Sequence, residues 1–274
     1  MSKFSVAVFF WVILVLPLRA EVAPNVLRLA EALGLPEIIE VMREEGINYG
    51  DDLAEGMFEG RSYGGWQQSV ENIYDVDRMG DVALTGFGAE LNKASITEIT
   101  DFFESDLGVE IIALEISARR ALMDDAVDEA NKERVAAMIA GQHPRIELLQ
   151  QFIDVNDLLE TNVVGALNSN FSFYTGLVDG GAYSEPITED KILSDVWEQE
   201  VEIRADTNEW LFGFLSLAYT PLSDADLVAY IEFSESQAGQ MLNTALFAGF
   251  DTMFAGISHS LGLAAAKIMA SEDL

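Results

Sequence analysis

The chain has 274 residues and carries 47 acidic against 15 basic side chains, which gives a net charge of −32. So negative a surface repels phosphate backbones and argues against nucleic acid as a partner, whereas it suits a basic protein or peptide, or diffusely held divalent cations. Half of the residues are hydrophobic, enough for a substantial core, and the absence of cysteine excludes a disulfide framework.

The first 20 residues have the plan of a secretory signal peptide. Lys3 supplies a short positive region, Phe4 to Leu16 form an uncharged apolar stretch, and Ala20 offers a small residue before a cleavage point. The apolar stretch is shorter than the roughly 20 residues that a membrane-spanning helix needs. We therefore expect export to the periplasm and removal of residues 1–20, with an uncleaved N-terminal anchor as the alternative.

Helical patterns dominate the rest of the chain. Pro36 suits the first turn of a helix and opens the segment PEIIEVMREEGINYGDDLAEGMF, and RIELLQQFIDVNDLLETNVVGAL has the same character in the second half. No stretch shows the sustained alternation of a half-buried strand. The sequence predicts an all-α fold, a helical bundle built from two sequence-related halves, residues 21–142 and 143–274.

Two segments of the chain carry the evidence for those halves. Residues 91–112 read LNKASITEITDFFESDLGVEII and residues 222–243 read LSDADLVAYIEFSESQAGQMLN, which align without a gap. The aligned identities are Leu91/Leu222, Ala94/Ala225, Phe102/Phe233, Glu104/Glu235, Ser105/Ser236 and Gly108/Gly239.

The shared S-x-x-G predicts a junction between two helices, in which the Ser hydroxyl caps the second helix and the Gly allows close backbone approach. The helix before the junction begins at Ser223 in the second copy and at either Asn92 or Ser95 in the first. Glu104 and Glu235 have the composition of a catalytic pair, but the pattern favours a structural role for the whole motif.

A long helix is predicted after each Gly. The first runs to Gly141, where His143-Pro144 marks a stop. The second has an apolar seam, and its three glycines Gly249, Gly256 and Gly262 would permit close packing. Asp251, among other polar residues, argues against a membrane span, so we predict a core helix or a homodimer interface. The residues of the seam are Phe247, Phe250, Phe254, Ile257, Leu261, Ala264 and Ile268.

Two segments rich in glycine and aromatic residues are candidate binding loops, with packing of the aromatics into the core as the alternative. They are GRSYGGWQQ at 60–68 and SNFSFYTGLVDGGAYSEP at 169–186. The candidate residues are Arg61, Tyr63, Trp66, Phe171, Phe173 and Tyr174.

Other chemical motifs are missing. The chain has no HExxH or Cys/His cluster for zinc and no GxSxG elbow, and the run from Asp75 to Gly86 fails as a calcium loop because Met79 and Gly86 stand at ligand positions. We expect no catalytic residue, metal or cofactor.

The second copy resembles the signature of domain-of-unknown-function family 2059. That signature reads Leu, Ser/Thr, two residues, Glu-Leu, then Phe-Tyr-x-Ser-Pro-x-Gly; here Asp226 replaces the Glu, Ser234 the Tyr and Gln237 the Pro. The first copy keeps Phe102-Phe103 but has Asp106 for the Pro. The resemblance implies an exported, all-helical bacterial protein and supplies no activity, substrate or cofactor.

From these features we predict a non-enzymatic periplasmic protein that acts through contacts with another envelope protein, for which the acidic charge favours a basic surface. Membrane contact after cleavage is not expected. The alternatives are a carboxylate-based periplasmic hydrolase, which requires an Asp or Glu with a raised pKa in a pocket, and a carrier of a small ligand or peptide.

Overall fold

The computed structural model describes residues 22–58 and 64–271, so the predicted signal peptide lies outside the described residues. Within the described ranges the chain forms helices and no strand, which confirms the all-α prediction. The helices are α1 (Pro24–Ala32), α2 (Leu35–Met57), α3 (Trp66–Ile73), α4 (Val76–Glu90), α5 (Lys93–Phe103), α6 (Asp106–Ala121), α7 (Asp125–Ala140), α8 (Arg145–Val155), α9 (Leu158–Asp179), α10 (Glu189–Trp197), α11 (Glu200–Tyr219), α12 (Asp224–Glu235) and α13 (Gln237–Ser271).

The starts of the helices follow local capping rules. Pro36 lies in the first turn of α2, where its missing N–H costs nothing. Asn92 caps α5 by accepting from the N–H groups of Ala94 and Ser95, at 3.1 and 3.0 Å, so the first of the two predicted starts is correct. Ser223 caps α12 in the same way, accepting from the N–H of Asp226 at 3.2 Å.

The long helix α13 is the central element of the fold. Its most buried residues pack against α4 on one side and α9 on the other. Of the predicted apolar seam, only Ile257 and Leu261 are among these buried residues. The three phenylalanines of that seam are half-buried instead. The buried residues of α13 are Ala238, Gly239, Leu242, Ala245, Gly249, Met253, Ile257, Leu261, Gly262, Ala265 and Ala266.

Glycine allows α13 to approach both neighbours closely. A Cβ at Gly86 of α4 would lie 2.8 Å from the Cα of Gly249, and a Cβ at Gly262 would lie 2.9 Å from the backbone nitrogen of Leu177 in α9. Gly256, by contrast, faces open space, with nothing within 4 Å of an added Cβ. The prediction of close packing is therefore correct for Gly249 and Gly262 and wrong for Gly256.

By length and composition, α13 is also the one described helix that could cross a membrane. Gln237–Ala270 has a window of mean hydropathy 1.3, and 33% of that window is buried within the protein. The predictions of no membrane contact and of a homodimer through α13 stay predictions.

The predicted halves share one core. A continuous cluster joins Ile99, Phe103 and Ile111 of the first half to Leu215 and Leu227 of the second. The boundary at residues 142 and 143 therefore separates two stretches of sequence but not two cores. Gly141 ends α7 as expected.

The helix predicted after Gly108 is broken, whereas the helix after Gly239 is continuous. The break separates α6 from α7, because Asp124 accepts from the N–H groups of Ala126 and Val127 and so caps a new helix. Aspartate competes well for backbone donors in this way, and a local cap outweighed the helical periodicity.

Candidate functional site

The two S-x-x-G junctions are built alike. The Ser105 hydroxyl accepts from the N–H of Gly108 at 3.2 Å, and the Ser236 hydroxyl accepts from the N–H of Gly239 at 3.0 Å. A Cβ at Gly108 would lie 2.5 Å from the Cα of Phe103 and closer still to the Phe102 carbonyl oxygen. At Gly239 the Cβ would lie 2.7 Å from the Cα of Ser234 and closer still to the Phe233 carbonyl oxygen. Each glycine thus makes room for the last turn of the preceding helix.

The junctions also meet each other. The rings of Phe102 and Phe233 stack with centroids 3.9 Å apart and planes 11° apart. Phe103 packs edge-on against Phe233 and against Tyr230, with centroids 5.6 Å and 6.2 Å apart, and the Tyr230 ring stacks on Phe102 with centroids 5.9 Å apart. The aligned positions Phe102 and Phe233 therefore belong to one aromatic cluster between α5 and α12. Glu104 pairs with Arg28 of α1, at 2.7 Å between Nε and Oε1, and takes no part in a carboxylate pair.

The structure corrects the predicted binding loops at the residues that it describes. Arg61 and Tyr63 lie outside the described residues. Trp66 is fully buried, with its indole N–H donating to the Gly50 carbonyl at 2.7 Å and its ring packed edge-on against Phe58. It begins α3 as a core residue, because burying its large ring outweighs the flexibility that the neighbouring glycines suggest.

The second predicted loop is mostly helix. Phe171, Phe173 and Tyr174 lie within α9, and the helix ends at Asp179 before the Gly-Gly pair. The polar residues that suggested a loop are accommodated because they bond one turn back: the Ser172 hydroxyl donates to the Asn168 carbonyl at 2.8 Å, and the Thr175 hydroxyl to the Phe171 carbonyl at 2.8 Å. The three aromatics pack against buried clusters, as the alternative held.

A cavity of about 470 Å³ lies between α6, α9, α11, α12 and α13, with α2 and α8 also contributing. That volume is in the range of small-molecule sites. Its wall is mainly apolar, and the half-buried side of α13 faces it. The main aromatic residues of the wall are Trp210, Phe214, Phe233, Phe247, Phe250 and Phe254.

Trp210 marks an opening of the cavity. Its side chain is 42% exposed and also lines the cavity, so it lies where the cavity reaches the surface. It stacks on Phe214 with centroids 5.2 Å apart and planes 3° apart. Such a stack gives the opening a rigid aromatic border, and Trp210 fluorescence can report on what enters.

Glu115 of α6 is the most unusual group in the wall. Its Oε1 accepts from the hydroxyl of Tyr219 at 2.6 Å and from that of Tyr230 at 3.4 Å. Burial raises the pKa of the carboxyl to about 7, although the two tyrosine hydrogen bonds act to lower it. The side chain retains some accessible surface, and its place in the wall indicates that this surface faces the cavity.

Asp251 of α13 is a second carboxylate in the wall. It has no hydrogen bond or ion pair to any described residue, and burial raises the pKa of its carboxyl. Gly165 of α9 leaves room for it, since a Cβ there would lie 3.0 Å from Asp251 Oδ1.

The wall also holds one guanidinium, Arg119, whose Nε and Nη2 each donate to a Glu45 carboxylate oxygen at 2.8 Å. Arg119 is therefore already neutralised.

The helical spacing of buried residues in α6 is a sequence signal for Glu115, although no chemical motif contains it. Gly108, Ile111 and Ala118 are three of the four buried positions of α6, and Glu115 fits the three-and-four spacing between Ile111 and Ala118. An acid within an otherwise buried stripe requires a partner or a cavity. Its partners Tyr219 and Tyr230 are more than 100 residues away in sequence and could not be identified from spacing.

Metal binding finds no support in the described part of the chain. No group of three or more His, Cys, Asp or Glu side chains there is arranged to hold a metal ion.

The fold and the site together define an all-α protein with a mainly apolar cavity that opens to the surface and has two carboxyl groups in its wall. Residues 77–137 match the model of a family described as an uncharacterized protein conserved in bacteria (DUF2059), which confirms the predicted resemblance for this part of the chain. The match contains the first S-x-x-G junction and Glu115 but not the second junction. Comparison with curated proteins and with solved structures found no match.

Proposed function

We propose that this chain is an exported, non-enzymatic protein that carries a small, largely apolar ligand in the cavity lined by Glu115. One observation carries the proposal: the helices surround about 470 Å³ of mostly apolar space that opens to the surface and that their own side chains do not fill. Protein interiors are normally packed with few voids larger than a water molecule, so a space of this size calls for an occupant. The export rests on the signal-peptide pattern of residues 1–20.

Among the predicted functions, the geometry favours the carrier over the hydrolase. Glu115 fulfils the condition set for a hydrolase, a carboxyl with raised pKa in a pocket. Its Oε1, however, is occupied by two tyrosine hydroxyls, and most of the surrounding wall is apolar. An apolar wall with a few polar groups is typical of ligand binding.

Titration with the neutral apolar fluorophore N-phenyl-1-naphthylamine tests the carrier. We expect saturable binding with a rise in probe emission, at one probe per protein. The variant Ala166→Phe fills the cavity from α9 and should abolish this binding. Its matched control is Val164→Phe on the same helix, at a position 51% exposed and outside the wall, which should bind like the wild type. Equal binding by both variants, with both shown to be folded by circular dichroism, would contradict the proposal.

We also infer that residues 91–112 and 222–243 are two copies of one ancestral unit. The aligned residues Asn92 and Ser223 both cap helices, and Ser105 and Ser236 both cap the helices that follow. The stack of Phe102 on Phe233 joins aligned positions to each other. Contact between equivalent residues is what a two-fold relation between the copies produces.

A second function, contact with a basic partner protein, is favoured by an exposed patch on α10 and α11. We call it the Trp197 patch: Leu193, Trp197 and Val201 are 50%, 70% and 77% exposed and recur every fourth residue. Residues 189–210 around it hold eight acids and two bases, and both bases are already paired with carboxylates. We propose that this apolar, acid-rimmed patch docks a basic amphipathic helix of an envelope protein.

Binding of an amphipathic lysine–leucine peptide, followed by fluorescence anisotropy, tests the Trp197 patch. We expect the double variant Trp197→Ala/Val201→Ala to weaken binding at least tenfold, because a central exposed Trp commonly dominates such contacts. Val109→Ala, a change at a position 58% exposed on α6, should leave binding unchanged. A patch variant that binds as the wild type does would overturn this function, and loss of self-association in that variant would identify a second copy as the occupant instead.

A further inference from the structure

We propose that the ligand of the cavity is an apolar molecule that bears a protonated amine, held by the carboxylates of Glu115 and Asp251. This inference rests on the carrier function and names the chemical class of its ligand. It depends on which polar groups of the wall already have a hydrogen-bond or charge partner within the protein and which are free to bind a ligand.

One carboxylate oxygen of Glu115 is free to accept a hydrogen bond from a ligand. Both tyrosine hydroxyls donate to Oε1, while Oε2 has no hydrogen-bond partner among the described residues. No fully buried side-chain nitrogen or oxygen in the described part of the chain lacks a partner. Since Oε2 has no partner, it is not fully buried. It faces the cavity, where a donor from a ligand can reach it.

Asp251 offers both of its oxygens. It stands in the wall on α13 without a hydrogen bond or an ion pair to any described residue. A carboxylate that is partly removed from water and unpaired is destabilised, and a cation bound beside it relieves that cost. The wall provides no such cation, because Arg119 is held by Glu45 on a different helix.

The amide side chains of the wall are already oriented. The NH₂ of Asn156 donates to the Phe152 carbonyl at 3.0 Å, that of Asn162 to the Leu158 carbonyl at 2.7 Å, and that of Asn243 to the Asn156 carbonyl at 2.7 Å. Since carbonyl oxygens only accept, the NH₂ orientation of each amide is fixed. Each amide keeps its oxygen and one N–H, so the amides can meet either a donor or an acceptor, and the charge preference of the wall rests on its two carboxylates.

A wall with two carboxylates that lack a counter-ion selects a donor that carries positive charge. An ammonium group has three donors and no acceptor, and a carboxylate of this wall would neutralise it. A carboxylate or phosphate would meet like charge with nothing to offset it. The apolar wall accommodates the rest of the molecule.

A matched ligand series tests the class of ligand by isothermal titration at pH 8 and physiological salt. The probes are 1-naphthylmethylamine, which is cationic, 1-naphthalenemethanol, which is neutral, and 1-naphthoate, which is anionic. We expect the amine to bind at least tenfold more tightly than the alcohol and the naphthoate not to bind. In the variants Glu115→Gln and Asp251→Asn, we expect the preference for the amine to fall severalfold while the alcohol binds as before.

The overall negative charge of the protein attracts any cation, so the control removes one acid elsewhere. Glu98→Gln changes the same amount of charge at an exposed position of α5 and should keep the full preference for the amine. Equal affinities of the wild type for amine and alcohol would overturn the amine inference and leave the carrier function standing. Failure of the wild type to bind any of the three probes would overturn both.

Discussion

The substitutions Gly108→Ala and Gly239→Ala are each expected to lower the free energy of unfolding by roughly 3 kcal/mol. In both junctions the added methyl group would meet backbone atoms of the preceding helix, and backbone cannot rotate aside as a flexible side chain can. The helices α5 and α6, or α12 and α13, would have to separate, which would also disturb the stack of Phe102 on Phe233. Because the two junctions have the same geometry, the two losses should be similar. Urea unfolding followed by circular dichroism measures both.

Gly256→Ala is the matched control for these variants. It changes the same residue type inside a helix at a position where nothing lies within 4 Å of the new atom. Alanine is the better helix former, so we expect this variant to gain up to about 1 kcal/mol. If Gly108→Ala or Gly239→Ala gained stability in the same way, the close approach at the junctions would be disproved.

The wild type is expected to lose stability as the pH rises from 4.5 to about 7, relative to the variant Glu115→Gln. The pKa of Glu115 is about 7 in the folded chain against an ordinary value of 4.5, so the folded state binds this proton more tightly than the unfolded state does. The contribution of this proton to stability is fully present below pH 4.5 and is lost as the pH rises to about 7. The loss corresponds to about 3 kcal/mol.

Urea unfolding of both proteins at several values between pH 4.5 and 8 measures this difference. Glutamine keeps an oxygen for the tyrosine hydroxyls and cannot titrate, while the many exposed acids contribute equally to both proteins and cancel. The difference in unfolding free energy between the two proteins should therefore change with a slope that follows the protonation of Glu115. A difference independent of pH over this range would show that Glu115 titrates as an ordinary solvated acid.

Local chemistry explains which parts of the fold were predictable. The caps at Ser105, Ser223 and Ser236 depend on residues within three positions of each other, and all three lie where the sequence indicated. The break at Asp124 was missed because the same residue type is also common on a solvated helix face. The aromatic segment in α9 was misassigned because Ser and Thr can satisfy themselves inside a helix.

The cavity could not be predicted because it arises between distant segments. Its wall combines Ile38 of α2, Glu115 of α6, Trp210 of α11 and Phe254 of α13, and no local pattern encodes where such helices fail to fill space. The predicted seam on α13 came closest. Its three phenylalanines were expected in a core or a dimer interface, and all three line the cavity.

The most direct test of the central claim is a methyl NMR titration of the folded protein with naphthalene. The account predicts shifts for methyl groups of the cavity wall, such as those of Ile38, Leu211 and Leu242, and none for the exposed methyls of Leu193 and Val201. Shifts confined to Leu193 and Val201, or no shifts at saturating naphthalene, would contradict the claim that this cavity binds an apolar ligand.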